Sequence, residues 1–303
     1  MMKTLRSPLR AGVISLRTAG IVLCVLMSIR QVAAGADRAK LEHPVMMDSD
    51  GPGDELYVIV DGAVLHKLRV ADNSLSEYGS VALPANFKPA DMTFAHSEKP
   101  ASILFAGAQS GKGKVILFSL ENKLLREWEF QNVCSGVDFG EAGHTAYVAT
   151  SDSNEIYKLG IHDTRISLVA HIDSAAKLGP VAFDEKHRRI YVADIAAGKI
   201  FLYSLESRTS KTFVTGLSAP SALAYDTESE RLFVADPGQR SIFAVDTRKP
   251  NPAIARFASG PLRAPYGMTL ISKGRVAVAD YNANAVFVFS GNGDLLFRYP
   301  AAP

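Results

Sequence analysis

Apolar and polar residues alternate with a period of two along most of this chain, in short runs bounded by Asp, Asn, Gly, Ser and Pro. After residue 43 no such run has the length or the 3.6-residue period of an amphipathic helix. One phrase recurs: a β-branched and aromatic strand ending in a small residue and usually an aspartate. Its clear copies are Ala146-Tyr-Val-Ala-Thr150, Ile190-Tyr-Val-Ala-Asp194, Leu232-Phe-Val-Ala-Asp236 and Val276-Ala-Val-Ala-Asp280, whose last residues lie 44, 42 and 44 apart. Weaker copies stand at Leu56–Val60 and Ile103–Gly107. A repeat of 40–50 residues signals stacked supersecondary units. Each unit holds four strand-like runs. In the fifth they are Ser221–Tyr225, Arg231–Ala235, Ser241–Val245 and Ala253–Phe257, with turns at Asp226–Glu230, Asp236–Arg240 and Asp246–Pro252. Residues 44–303 accommodate six such units. The pattern therefore predicts an all-β chain, a six-bladed β-propeller of four-stranded antiparallel blades, in which neighbouring blades cover both faces of each sheet. The first strand is expected after His43 and the last at Leu295–Tyr299, so that each blade is contiguous in sequence.

The repeated polar residues have a structural reading. Asp194, Asp236 and Asp280 close the second strand of their units, where a short carboxylate accepts turn N–H groups. Asn154, Gly198 and Asn284 fall where a turn requires positive φ, and Arg240 takes the same place less comfortably. With Asp280-Tyr-Asn-Ala-Asn284-Ala-Val, Asp194-Ile-Ala-Ala-Gly198-Lys-Ile and the similar Thr150-Ser-Asp-Ser-Asn154-Glu-Ile, the units resemble NHL repeats over about 260 residues. That resemblance implies a propeller fold. Proteins similar in this way include interaction scaffolds, lyases and lactonase-like hydrolases, so it leaves the activity open.

Composition changes the picture at the N-terminus. Residues 1–36 carry five basic groups (Lys3, Arg6, Arg10, Arg17, Arg30) and no acidic one, whereas the remainder holds 28 basic against 31 acidic residues. The apolar run Ala19–Ile29 would rise only about 16 Å as a helix, too short to span a bilayer core. It is followed by Ala34-Gly35-Ala36, the small-x-small pattern of a cleaved export signal. Residues 1–36 are accordingly expected to be a signal peptide, 37–43 an extension and 44–303 the propeller, in an exported protein (periplasmic or secreted) with no membrane span. The near-neutral remainder lacks the basic footprint of a nucleic-acid binder. One cysteine, Cys134, remains after cleavage, so no internal disulfide can form.

Candidate chemistry is sparse. Lactonase-like propellers place acidic or amide ligands at the start of their innermost strands. Here the alignment gives His43, Ala90, Ser135, Gly179, Ser221 and Tyr266, with Asp91 as the only nearby carboxylate. A hard cation wants six to eight oxygens, so no metal and no cofactor are expected. The histidines (43, 66, 96, 144, 162, 171 and 187) show no metal-ligand spacing, whereas a zinc-dependent lyase needs converging imidazoles, so they read as surface or packing residues. Asp48–Glu55 looks superficially like a calcium loop but lacks its full ligand spacing and reads as a solvated turn. Gly107–Gly113 is one residue short of a P-loop and reads as a hairpin. Trp128 and Phe130 read as packing between blades. The loops converging at one mouth of the channel supply the candidate ligand-binding residues Asp91, Asp152, Gln239, Arg240, Arg263, Tyr266, Tyr281 and Asn282. The expectation is a non-catalytic binding propeller for a protein or small ligand, with a divergent lactonase-like hydrolase or lyase as the alternative.

Overall fold

The computed structural model describes residues 41, 43–50, 55–60, 64–71, 74–95, 102–121 and 123–300. The expected signal peptide, most of the 37–43 extension, Gly51–Asp54 and His96 lie outside them. The described residues form six four-stranded antiparallel sheets, each made of four consecutive strands. Blade 1 contains β1 (Pro44–Ser49), β2 (Glu55–Val60), β3 (Val64–Ala71) and β4 (Ser74–Ala82). Blade 2 contains β5 (Phe87–Ala95), β6 (Ser102–Gln109), β7 (Lys112–Ser119) and β8 (Lys123–Phe130), and blade 3 contains β9 (Cys134–Gly140), β10 (Thr145–Thr150), β11 (Glu155–Gly160) and β12 (Ile166–His171). Blade 4 is β13 (Leu178–Asp184), β14 (Arg189–Asp194), β15 (Lys199–Ser204) and β16 (Thr209–Val214); blade 5 is β17 (Ala222–Asp226), β18 (Arg231–Asp236), β19 (Ser241–Asp246) and β20 (Ile254–Ala258). Blade 6 is β21 (Pro265–Ile271), β22 (Arg275–Asp280), β23 (Ala285–Phe289) and β24 (Leu295–Tyr299). This is the six-bladed propeller expected from the repeat.

Burial explains the composition of each strand. Second strands such as β14, β18 and β22 are buried at every position after the first, because a neighbouring blade covers each face. Their apolar residues are therefore nearly continuous. Outer strands such as β12 and β16 are mostly exposed, β16 with polar residues and β12 with Ile166 and Leu168 among its exposed side chains. Six apolar clusters fill the six junctions between blades. Trp128 is buried in the cluster between blades 2 and 3, as its packing reading required.

Among the described residues no blade is shared between the two ends of the ring. Leu41 is buried against blades 1 and 6. Across the same seam, Ser49 Oγ donates to the Leu270 carbonyl at 2.7 Å and the His43 amide donates to Asn284 Oδ1 at 3.0 Å.

The turn chemistry follows the repeated residues. Asp194, Asp236 and Asp280 are fully buried. Each accepts three backbone N–H groups from the loops flanking its blade's first and second strands, for Asp236 those of Ser218, Ala219 and Gln239 at 2.7–3.1 Å. Asn154, Gly198, Arg240 and Asn284 all have positive φ, between 49° and 62°. Ser110 and Gly111, both at positive φ, make the tight β6–β7 hairpin, so the glycine-rich stretch holds no phosphate loop.

Candidate functional site: the central channel

Inner strands start with an irregularity that widens the channel mouth. In blades 1, 2, 3, 4 and 6 the pairing of first and second strands slips there by a bulge. By register the bulge residues are Val45, Ala90, Ser135, Gly179 and Tyr266. The sequence alignment is thus two residues early in blade 1, where Val45 and not His43 takes the position. The slip matters because it had left Asp48 in a turn. Asp48 lies inside β1, paired with Tyr57, and lines the channel.

Three residues beyond the bulge, the strand register sets one layer around the axis: Asp48, Thr93, Asp138, Ala182, Ala224 and Thr269. Asp91 stands two residues before Thr93 on the same strand. Glycine lets the strands crowd together near this layer. A Cβ on Gly267 would lie 2.9 Å from Met46 Cα in the next blade. The three carboxylates, all half-buried, stitch successive blades together. Asp48 Oδ2 accepts the Phe94 amide at 2.6 Å, Asp91 Oδ2 the Val137 amide at 3.0 Å, and Asp138 Oδ2 the Phe183 amide at 2.7 Å. Threonine hydroxyls of the preceding blades complete two of them: Thr269 donates to Asp48 at 2.7 Å and Thr93 to Asp138 at 3.2 Å.

A cavity of about 840 Å³ runs through this layer, from Tyr266 at one end to Tyr225 and Thr227 at the other. Its charge is one-sided. Asp48, Asp91 and Asp138 line it from blades 1–3, while blades 4–6 contribute mainly apolar and neutral groups such as Val181, Leu223, Tyr225 and Met268. No Lys, Arg or His lines it among the described residues. Burial pushes the Asp91 carboxyl up to about 8; amides of Val137 and Met92 oppose the shift, and the Asp138 and Asp48 charges add to it. Burial likewise raises Asp138 to about 7, with the Asp48 charge acting in the same direction.

The remaining mouth residues divide by role. Tyr266, 42% exposed, meets Tyr281 edge-on at 5.6 Å, and Tyr281 stacks on His43 at 4.3 Å. Asn282 is exposed beside Tyr281. Asp152 accepts the Val133 amide at 2.9 Å, taking over a loop contact that Thr150 does not make. Gln239 Nε2 donates to the Gly216 carbonyl at 2.9 Å. Arg240 and Arg263 are exposed, and neither lines the cavity. Of the eight residues marked in the sequence, Asp91 and Tyr266 line the channel. Asp48 and Asp138 were missed, although each is a carboxylate interrupting an otherwise apolar inner strand.

Other reactive groups stand apart from the channel. Cys134 is fully buried, and desolvation raises its thiol to about 12, which removes it as a nucleophile at neutral pH. His144 Nδ1 lies 3.3 Å from His162 Nε2 near the β9–β10 turn; both imidazoles are exposed, a surface pair. Among the described residues no group of three or more His, Cys, Asp or Glu side chains could hold a metal ion. No helix among them is long and apolar enough to cross a membrane.

Fold and channel together define the class: a six-bladed β-propeller with an acidic axial cavity. No family model and no curated protein matches the chain by sequence. Solved structures do resemble it. A catalytically inactive histidine-to-alanine variant of virginiamycin B lyase from Staphylococcus aureus, solved with quinupristin, is 13% identical with a TM-score of 0.62, over 86% of this chain and 85% of that one. A protein of unknown function from Bacteroides thetaiotaomicron is 12% identical with a TM-score of 0.66, over 82% and 69%. A chain of the nidogen/laminin complex is 13% identical with a TM-score of 0.63, over 82% and 89%. At such identities the likeness establishes the fold alone.

Proposed function

We propose that this chain is an exported, non-catalytic propeller of NHL-like type that takes a small cationic ligand, an amine or guanidinium, into its axial channel. The single observation that carries this reading is the set of Asp48, Asp91 and Asp138 lining one cavity with no lining cation to balance them. Ionised together, they repel one another in a partly desolvated space; a bound organic cation relieves that repulsion and donates N–H groups to their unused lone pairs. Geometry favours an extended organic cation over a metal ion, since the carboxylates do not converge on one point. His43, Tyr281 and Tyr266 offer ring faces and edges at the entrance, where a cation can be held on its way in. Export rests on the basic, apolar and small-residue order of residues 1–36.

A lyase reading draws on the fold of virginiamycin B lyase. Replacement of one histidine leaves that enzyme inactive, whereas no histidine lines this channel among the described residues. The test is calorimetric titration of the mature protein with spermidine and agmatine at pH 9. Binding is expected, weakened at least tenfold in Asp91→Asn/Asp138→Asn with the β-sheet circular dichroism unchanged. Absence of binding, or binding indifferent to the double substitution, overturns the cationic-ligand reading. Conversion of quinupristin to a chromatographically distinct product would replace it with the lyase.

A further inference from the structure

A second concave site lies between blades 4 and 5, away from the channel. It is a groove of about 440 Å³ lined by Arg189, Lys211, Arg248 and Lys249, with serine and threonine hydroxyls between them and no lining carboxylate. Strand register builds its floor. Arg189 pairs with Ser204, which pairs with Thr209, so a guanidinium and two hydroxyl side chains form one cross-strand row. Two residues along the same face, Leu202 pairs with Lys211. The opposite wall is the turn after β19, which carries Thr247, Arg248 and Lys249.

One of the charges is held in place, and the set is only partly balanced. Asp246 grips Arg248 through Nε at 2.8 Å and Nη2 at 3.0 Å, which fixes the guanidinium and leaves Nη1 free of that pair. Lys249 reaches the same carboxylate only at 4.0 Å. Arg189 and Lys211 form no ion pair among the described residues. Glu230, on the preceding hairpin, is already paired with Lys186. Two carboxylates, Asp246 and the already paired Glu230, thus act on Arg248, and the four groove cations are only partly balanced.

We infer that this groove is a binding site for a tetrahedral oxyanion, a phosphate or sulfate group carried by a small molecule. Guanidinium and ammonium groups from two walls supply charge, and the Ser204 and Thr209 hydroxyls supply neutral donors suited to such oxygens. The groove stands on residues separate from the channel and does not depend on the cationic-ligand reading.

The experiment is titration of the mature protein with inorganic pyrophosphate and, separately, with sulfate, at low ionic strength because screening weakens exposed charge pairs. At least one of the two is expected to bind with a sub-millimolar Kd, and the one that binds identifies the group. Arg189→Gln/Lys211→Gln is expected to weaken that binding at least tenfold, and Asp91→Asn in the channel to leave it unchanged. Wild-type thermal melting of the double variant confirms that the loss is local. Failure of both anions to bind, or binding that survives the double substitution, overturns the assignment.

Discussion

Blades 4–6 and blades 1–3 use aspartate in opposite places. In blades 4, 5 and 6 the carboxylate sits at the rim, as Asp194, Asp236 and Asp280, and the channel layer holds Ala182, Ala224 and Thr269. In blades 1, 2 and 3 the rim positions are Val60, Gly107 and Thr150, and the carboxylates stand in the channel as Asp48, Asp91 and Asp138. A rim carboxylate saturated by three amides is a structural clamp. A channel carboxylate takes two or three donors, hydroxyls among them, and stands near two others of its sign with no lining cation among the described residues. The same side chain clamps the rim loops in one half of the ring and, in the other, bridges neighbouring blades while lining the channel.

The sharpest way to break this contrast is to remove one aspartate of each kind. Asp236→Ala removes the acceptor of three backbone amides from two loops at once and is expected to cost about 3 kcal/mol, read from denaturant melts. In the same blade, Phe233→Ala sets the scale for apolar packing, since the ring is fully buried and meets Phe257 edge-on at 5.0 Å. Its expected cost is about 3–5 kcal/mol. A loss under about 0.5 kcal/mol, the range of surface changes, would contradict the clamp or the packing respectively.

Asp91→Asn should act with the opposite sign. The folded protein holds a proton on Asp91 up to about pH 8, whereas the unfolded chain releases it near the ordinary value of 3.8. Between those limits the folded state binds more protons, so its stability declines as pH rises. The wild-type Tm is expected to fall from pH 5 to pH 9, and Asp91→Asn to recover about 2 kcal/mol at the upper end after allowance for solvent screening. A Tm that rises over this range would refute the uncompensated channel charge. Amine affinity should run the other way, increasing by about tenfold from pH 6 to pH 9 as Asp138 and Asp91 ionise, with protons released on binding. Calorimetry in buffers of different ionisation enthalpy measures that release directly. The smallest effect concerns the rim turn of blade 5. Arg240 has φ 51° where blade 4 uses Gly198 at 62°, and Arg240→Gly is expected to gain about 0.5 kcal/mol by relieving that conformation.

The same contrast explains what the sequence disclosed. Architecture was legible because Tyr191-Val-Ala-Asp194 and its copies repeat the demands of a doubly covered strand and its turn, and those demands recur in every regular blade. The rim role of Asp194, Asp236 and Asp280 and the positive φ of Asn154 and Asn284 came from that regularity. The channel was legible only at Asp91 and Tyr266. Its other carboxylates occupy blades where the phrase is weakest or its closing aspartate is absent: blade 1 aligned two residues out of register, and blade 3 ends its phrase in Thr150. Strand period reveals which face a residue shares but not the bulge that shifts it, and the bulge decided whether Asp48 belonged to a turn or to the axis. The pairing of His144 with His162 was invisible for a different reason: eighteen residues separate them, and only the pairing of β10 with β11 brings them together.

The seam between blades 6 and 1 gives the ring an unusual freedom of ancestry. Among the described residues no strand is donated across it, and every sheet is built from four consecutive strands. Duplication of a single segment of about 43 residues would therefore add a whole blade, and deletion would remove one, with no strand left to find a partner across the join. In a propeller whose terminal strand completes the first sheet, the same event must preserve that exchange. Here blade number can drift one unit at a time, while residues such as Asp48 and Thr269, which face each other across the seam, determine which ring size keeps its channel.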